Sequence, residues 1–334
     1  MNIKHTFTAL LLSAAAISGC ITAAREHKAE VPTLTPLTYG KTYTLQNKSI
    51  TVIIAPDIGR IIHFGFIGNP NLIWLNDTAS LAQEKADGSK WLNWGGDKIW
   101  PARQADWRFI YGGEDWPPKT ELDGKPFLII ESSDRKLIME SATDTKLHLK
   151  LRRTLTIDDD SPELTIKNQL LQLEQTPWPV HIWSVTQCLL PQYTLLGISK
   201  EAPDRDTRPF SNLWDTPLTP DNAKLTDNAL RLSLTPDLTI AKAGTVGSWC
   251  AAVYHDAILL QKSDSPPGGC YPDGANVEVF LCSGYTELEI LCPNRHLQPG
   301  ESMTSITTWR LIKTAPQAST EENMKLIENF VPFK

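Results

Sequence analysis

The chain has 334 residues, with 32 basic against 38 acidic side chains and a formal net charge of −6. A mildly acidic body without a basic cluster excludes a nucleic-acid grip built on phosphate neutralisation, and equally a polybasic hold on anionic lipid. The 24 prolines and 11 tryptophans suit a loop-rich β protein, because Pro punctuates turns and Trp packs well on sheets.

Lys4 and His5 open the chain, Phe7 to Ala16 is apolar, and Ile17-Ser18-Gly19-Cys20 follows. A short cationic start, a short apolar run and small residues make an export signal, since a membrane span needs roughly 20 apolar residues. Ile-Ser-Gly-Cys resembles the lipobox. That resemblance implies removal of residues 1–19 and a lipidated Cys20 as the first mature residue. Ile21 is not the Asp linked to inner-membrane retention, which points to an outer-membrane anchor in the cell envelope. Residues 20–38, with two prolines and little apolar periodicity, read as a tether. No later segment approaches spanning length, so the lipid is the only membrane attachment expected. Residues 39–334 read as one domain.

From Tyr39 onward the pattern is strand, turn, strand. Strands are predicted over Thr42–Leu45, Ser49–Ile54, Ile58–Ile67, Phe127–Glu131, Lys136–Ser141, Leu147–Ile157, Glu163–Leu173 and Val180–Leu190. Others follow over Leu230–Leu234, Trp249–Tyr254, Ala257–Lys262, Val277–Cys282, Thr286–Leu291 and Met303–Leu311. Leu147, Leu149 and Leu151 alternate with His148, Lys150 and Arg152, as in a half-buried strand. One helix is predicted near the end, where Ser319 and Glu322 have capping-box spacing and Met324, Ile327 and Phe330 form an apolar face. Asp158-Asp159-Asp160 lacks calcium-loop spacing and reads as a solvated turn. Cys188, Cys250, Cys270, Cys282 and Cys292 have no C-x-x-C spacing; the reading is small buried hydrophobes, with no pairing assigned. The expected fold is all-β: one large antiparallel sandwich with a short C-terminal helix. No metal or cofactor is expected.

Three segments carry candidate chemistry. Trp91 to Trp116 holds five tryptophans and two Gly-Gly pairs among Asn93, Lys98, Arg103 and other polar residues. Flat rings beside amides and charges suit the apolar face and the hydroxyls of a sugar ring. The alternative is a surface flap pinned down by its tryptophans. In the Pro179–Gln187 strand, His181, Trp183 and Gln187 share a face at period two. His181 there is either a proton-transfer group or a hydrogen-bonded structural residue. Glu278 lies in one late strand, with Glu287 and Glu289 on one face of the next; each could act as a base, hold sugar hydroxyls or face solvent. Carbohydrate contacts are thus predicted at Asn93, Lys98, Trp100, Arg103, Trp107, Trp183 and Gln187. The candidate catalytic groups are His181, Glu278 and Glu287. No phosphate loop, nucleophile elbow or zinc motif is present.

Gly95-Gly96-Asp97-Lys98-Ile99-Trp100-Pro101, together with Thr51–Arg60, Glu163–Asn168, Tyr285–Glu289 and Leu297–Ser302, resembles the galactose mutarotase-like superfamily of aldose 1-epimerases and their relatives. The nearest likeness within it is an uncharacterised bacterial family with a Gly-Gly-x-x-x-Trp-Pro signature. The resemblance implies a β-supersandwich with a sugar-sized groove on a concave face. Three readings follow: a lipid-anchored carbohydrate-binding domain, a sugar epimerase or mutarotase using His181 with Glu278 or Glu287, and a structural envelope protein.

Overall fold

Residues 39–86, 91–113, 117, 120–202, 206–266 and 268–331 are described by a computed structural model. The expected signal, Cys20 and the tether lie outside them. Among the described residues there are nineteen strands, numbered in chain order, in two antiparallel sheets.

The nine-stranded sheet runs β1 (Tyr43–Gln46), β2 (Ile50–Ala55), β3 (Arg60–Phe66), β4 (Asp97–Trp100), β9 (Trp183–Cys188), β18 (Thr286–Leu291), β17 (Val277–Cys282), β14 (Ile240–Thr245) and β11 (Ser211–Asn212). The ten-stranded sheet runs β12 (Ala223–Leu225), β13 (Ala229–Leu232), β10 (Tyr193–Gly197), β15 (Trp249–Val253), β16 (Ala257–Ser263), β19 (Ser302–Lys313), β8 (Glu163–Gln172), β7 (Leu149–Ile157), β6 (Lys136–Glu140) and β5 (Leu128–Ser132). This is the expected all-β antiparallel sandwich.

Between the sheets, alternate residues of most strands form the main core. Ile54, Phe64, Leu155, Leu170 and Trp309 belong to it, and the Phe64 and Trp309 rings meet edge to face at 5.6 Å. On β7 the alternation is regular: Leu149, Leu151, Leu155 and Ile157 are buried, while Arg152 is exposed. Arg153 breaks the chemistry but not the period. It occupies a core position and crosses to the Asp97 carboxylate on β4. It also donates to Asn168 at 3.0 Å and to the Gly59 and Asp97 carbonyls at 3.1 and 3.2 Å. Asp97 accepts a further bond from Thr186 at 2.7 Å, and Thr186 in turn accepts from Gln261 at 2.9 Å. A polar bolt therefore joins the two sheets through an apolar interior.

Two helices flank the sandwich, α1 (Thr78–Ala86) and α2 (Thr320–Glu328). Ser319 and Glu322 cap α2 reciprocally, with bonds of 3.2 and 2.7 Å. Its Met324 and Ile327 pack with Tyr193, Trp249 and Leu260 in a second apolar cluster. Helix α1 and strands β4, β10, β11, β12 and β14 were not among the predicted elements. The Pro179–Gln187 strand begins only at Trp183, so His181 precedes it. The five cysteines beyond Cys20 form no disulfide; Cys188, Cys250 and Cys292 are buried and Cys270 is exposed. No described helix is long and apolar enough to cross a membrane.

Candidate functional site

Register decides which side chains leave the core. Asp97 and Ile99 of β4 point between the sheets, so Lys98 and Trp100 point to the opposite face. Lys98 lies opposite Val185 and Trp100 opposite Trp183. Val185 and Gln187 lie opposite Glu289 and Glu287, which are paired with Glu278 and Phe280. Glu278 and Phe280 face Gly244 and Lys242. One face of the sheet thus gathers Lys98, Trp100, Trp183, Gln187, Glu287, Glu289, Glu278, Phe280 and Lys242 from five strands.

Strand β18 joins two halves of this face. On one side Lys98 reaches Glu287 at 3.1 Å. On the other, Lys242 lies 2.8 Å from Glu278 and 3.0 Å from Glu289. Trp183 donates its indole N–H to Glu289 at 2.7 Å. Both lysines also sit over indole rings, Lys98 over Trp100 at 4.8 Å and Lys242 over Trp183 at 4.9 Å. Gly244 makes the crowding possible, because a Cβ there would approach the Glu278 Cγ to 3.3 Å and the Ala275 Cβ to 2.6 Å.

Glu278 and Glu289 are direct cross-strand partners, and like charges in that position repel. Burial, opposed by Lys242 and aided by Glu278 and Glu287, pushes Glu289 up to about 8. Burial likewise raises Glu278 against the pull of Lys242. Burial lowers Lys242, but its two carboxyl partners outweigh that and hold it above the usual lysine value. The trio thus sets one lysine charge between two carboxyl groups whose simultaneous ionisation both burial and mutual repulsion oppose.

The predicted residues separate into three places. Lys98, Trp183, Gln187, Glu278 and Glu287 converge on the face just described. Neither amide atom of the buried Gln187 makes a well-formed hydrogen bond, and Tyr285 and Asn93 stand close by. Trp100 and Trp107 are buried with Trp183 in one aromatic knot, with centroids 4.8, 5.0 and 6.1 Å apart. The Trp100 N–H is bonded to Asp123 at 2.8 Å and that of Trp107 to the Ala102 carbonyl at 2.9 Å. Asp123 also accepts from Trp91 at 2.7 Å and pairs with the buried Arg60. This part of the tryptophan-rich segment is pinned to the sheet, as the flap reading expected.

Arg103 and His181 occupy the third place. Arg103 is half-buried and grips Asp106 through two bonds of 2.8 and 2.9 Å. The buried His181 ring lies 6.3 Å from that of Trp183, beside Asn294. Burial lowers it to about 4, so its imidazole is uncharged at neutral pH.

Several side chains on this face escaped prediction. Half-buried Trp74, Tyr285 and Phe280 and exposed Trp214 form a row of rings. Successive centroids are 4.5 Å (Trp74–Tyr285), 6.3 Å (Tyr285–Phe280) and 5.6 Å (Phe280–Trp214) apart. Trp74 lies in the short apolar run Leu72–Leu75, Trp214 in a polar loop and Lys242 between two alanines, so only tertiary pairing reveals them. Glu289 was legible as sharing a face with Glu287, but its lysine partner was not.

Gly95 and Gly96 fix the entry to β4. Both have φ of +79°, and a Cβ would lie 2.4 Å from the Trp74 carbonyl oxygen at Gly95 and 2.6 Å from that of Ile61 at Gly96. Glycine alone admits so close a backbone approach.

Comparison with known proteins agrees with this architecture. A family model described as "Domain of unknown function (DUF4380)" matches residues 41–312. No curated protein matches the chain. Among solved structures, an aldose 1-epimerase-type protein of Escherichia coli K12 superposes with a TM-score of 0.56 at 13% identity, covering 82% of this chain and 99% of that one. A galactose mutarotase-like protein of Lactobacillus casei gives 0.55 at 12% identity, over 81% and 100%. The Slr1438 protein of Synechocystis gives 0.51 at 11% identity, over 82% and 96%. These likenesses establish the fold.

Proposed function

The chain belongs to the DUF4380 family, and from its galactose mutarotase-like fold and its polar sheet face we propose that it is a carbohydrate-binding domain carried on a lipid anchor. The observation that carries the reading is the ring row Trp74–Tyr285–Phe280–Trp214 beside Glu287 and Lys98. Rings of that kind cover the C–H face of a pyranose, and the neighbouring carboxylates accept bonds from its hydroxyls. Support for the anchor comes from Ile17-Ser18-Gly19-Cys20. Stable attachment takes more than one acyl chain, which a multiply acylated Cys supplies.

Glycan-array screening followed by calorimetry tests the binding. Trp214→Ala is expected to weaken the best saccharide at least about tenfold, roughly 1.4 kcal/mol. Phe109→Ala, which removes an exposed ring stacked on Trp178, is expected to leave binding unchanged. Binding indifferent to Trp214→Ala refutes the site. Incorporation of labelled fatty acid that persists in Cys20→Ala refutes the anchor.

A second reading, a sugar epimerase, is favoured by one observation. Glu289, pushed up to about 8 by burial, lies directly across from Glu278, a carboxyl pair of the kind that acid and base roles in proton transfer to a sugar need. It moves the acid role from His181, whose imidazole is uncharged, to Glu289. Anomer exchange followed by NMR decides it: equal rates for wild type and Glu289→Gln end the idea.

A further inference from the structure

The ionisable groups on the polar face are unequal in number, and its lysines are committed. On β4, β9, β18, β17 and β14 the outward positions carry two lysines, Lys98 and Lys242, against three glutamates, Glu278, Glu287 and Glu289. Each lysine is in contact with at least one of those carboxylates, at 3.1 Å for Lys98 and at 2.8 and 3.0 Å for Lys242. Their side chains are 1% and 11% exposed, so neither ammonium is presented to solvent. Behind them Arg60 is paired with Asp123, and beside them Arg103 is held by Asp106.

Among the described residues of this face, an incoming phosphate or carboxylate meets no lysine without a carboxylate partner. It would surrender its hydration shell beside the partly exposed Glu287, with Glu278 and Glu289 buried behind it, and burying a charge without a partner is strongly unfavourable. A hydroxyl group meets the opposite situation. It donates to the oxygens of Glu287, the one carboxylate of the three that is partly exposed.

On the reading that the ligand is a saccharide, we infer that this face selects uncharged sugars and rejects sugar phosphates and uronates, because both of its lysines are already neutralised by Glu287, Glu278 and Glu289. The rule comes from cross-strand pairing and is built into the sheet itself. Charge selection of this kind works by repelling the wrong ligand as much as by attracting the right one.

Calorimetric titration of the full-length chain tests it with three probes of one parent sugar: the neutral hexose, its 6-phosphate and its uronate. The expected result is that both acidic sugars bind at least about tenfold more weakly than the hexose. Glu287→Gln, which frees Lys98, is expected to narrow that gap about tenfold. An acidic sugar that equals or exceeds the hexose on wild type overturns the charge rule and leaves carbohydrate binding intact. Failure of all three, with no other glycan bound, removes both readings. The wild-type comparison decides the matter even if Glu287→Gln does not fold.

Discussion

Replacing Asp97 by Ala should cost the sandwich about 3–5 kcal/mol, the range for removing one member of a buried ion pair. The side chains of Asp97 and Arg153 are both 0% exposed, so the guanidinium left behind has no route to water. Its remaining acceptors are Asn168 and two backbone carbonyls, which satisfy N–H groups but do not neutralise a full charge. The Thr186 hydroxyl would lose its acceptor but still accept from Gln261, a minor addition. For a domain with a typical stability of roughly 5–15 kcal/mol, such a loss is readily measured. The assay is urea unfolding of Asp97→Ala, Arg153→Leu and the double variant, read as midpoint shifts at constant slope. Because well-packed apolar replacements of a buried pair are often neutral, the double variant should recover most of the loss. The coupling energy should then be at least about 2 kcal/mol. A single-variant cost below about 1 kcal/mol, or strict additivity, would falsify the claim that this pair bolts the sheets together.

Gly96→Ala should lower stability by at least about 2 kcal/mol, combining the positive-φ penalty with the clash against the Ile61 carbonyl; thermal unfolding indistinguishable from wild type would contradict it. Ser319→Ala removes the α2 capping box and should cost about 1 kcal/mol, visible as faster amide exchange in the first turn of α2. The His181 imidazole, lowered to about 4, binds its proton more weakly folded than unfolded. Stability should therefore rise with pH between about 4 and 6.5, by on the order of 3 kcal/mol, and His181→Gln should flatten that window. Glu289, raised to about 8, acts in the opposite sense. Its stabilising contribution is fully present below about 4.5 and is lost as pH climbs through about 8, so a Glu289→Gln profile should lack that decline.

How far the sequence discloses this structure depends on where each strand puts its two faces. Strands β17 and β18 were read with their observed limits, because each carries a clear run of β-formers bounded by turn residues. Strand β10 is buried on both faces, and β14, Ile-Ala-Lys-Ala-Gly-Thr, has alanines and a glycine where β propensity is low. Strand β4 hides differently: Asp97 and Lys98 look like loop residues until each finds a charged partner on another strand. Helix α1 buries only Leu81, so its sequence carries no apolar stripe. The candidate site was half legible for the same reason. Glu287 and Glu289 declare their shared face by spacing, but Lys98 and Glu287 are 189 residues apart, and no local pattern encodes such a pair. The tryptophans that crowd residues 91–107 drew attention by density, yet Trp100 and Trp107 are committed to the interior. Trp74 and Trp214, outside that segment, present the accessible rings.

The position of β18 has a consequence for how the protein is made. Until residues 286–291 emerge, the nine-stranded sheet exists as two separate parts, β1-β2-β3-β4-β9 and β17-β14-β11, with nothing between them. Its two glutamates then contact one lysine on each part. A nascent chain stalled before that point leaves the edge of β9 open for pairing with other chains, with Lys98 and Lys242 deprived of Glu287 and Glu289. Closing so long a loop is slow. The site is thus assembled near the end of synthesis, and a product truncated ahead of Thr286 is expected to occupy chaperones and proteases without ever displaying it.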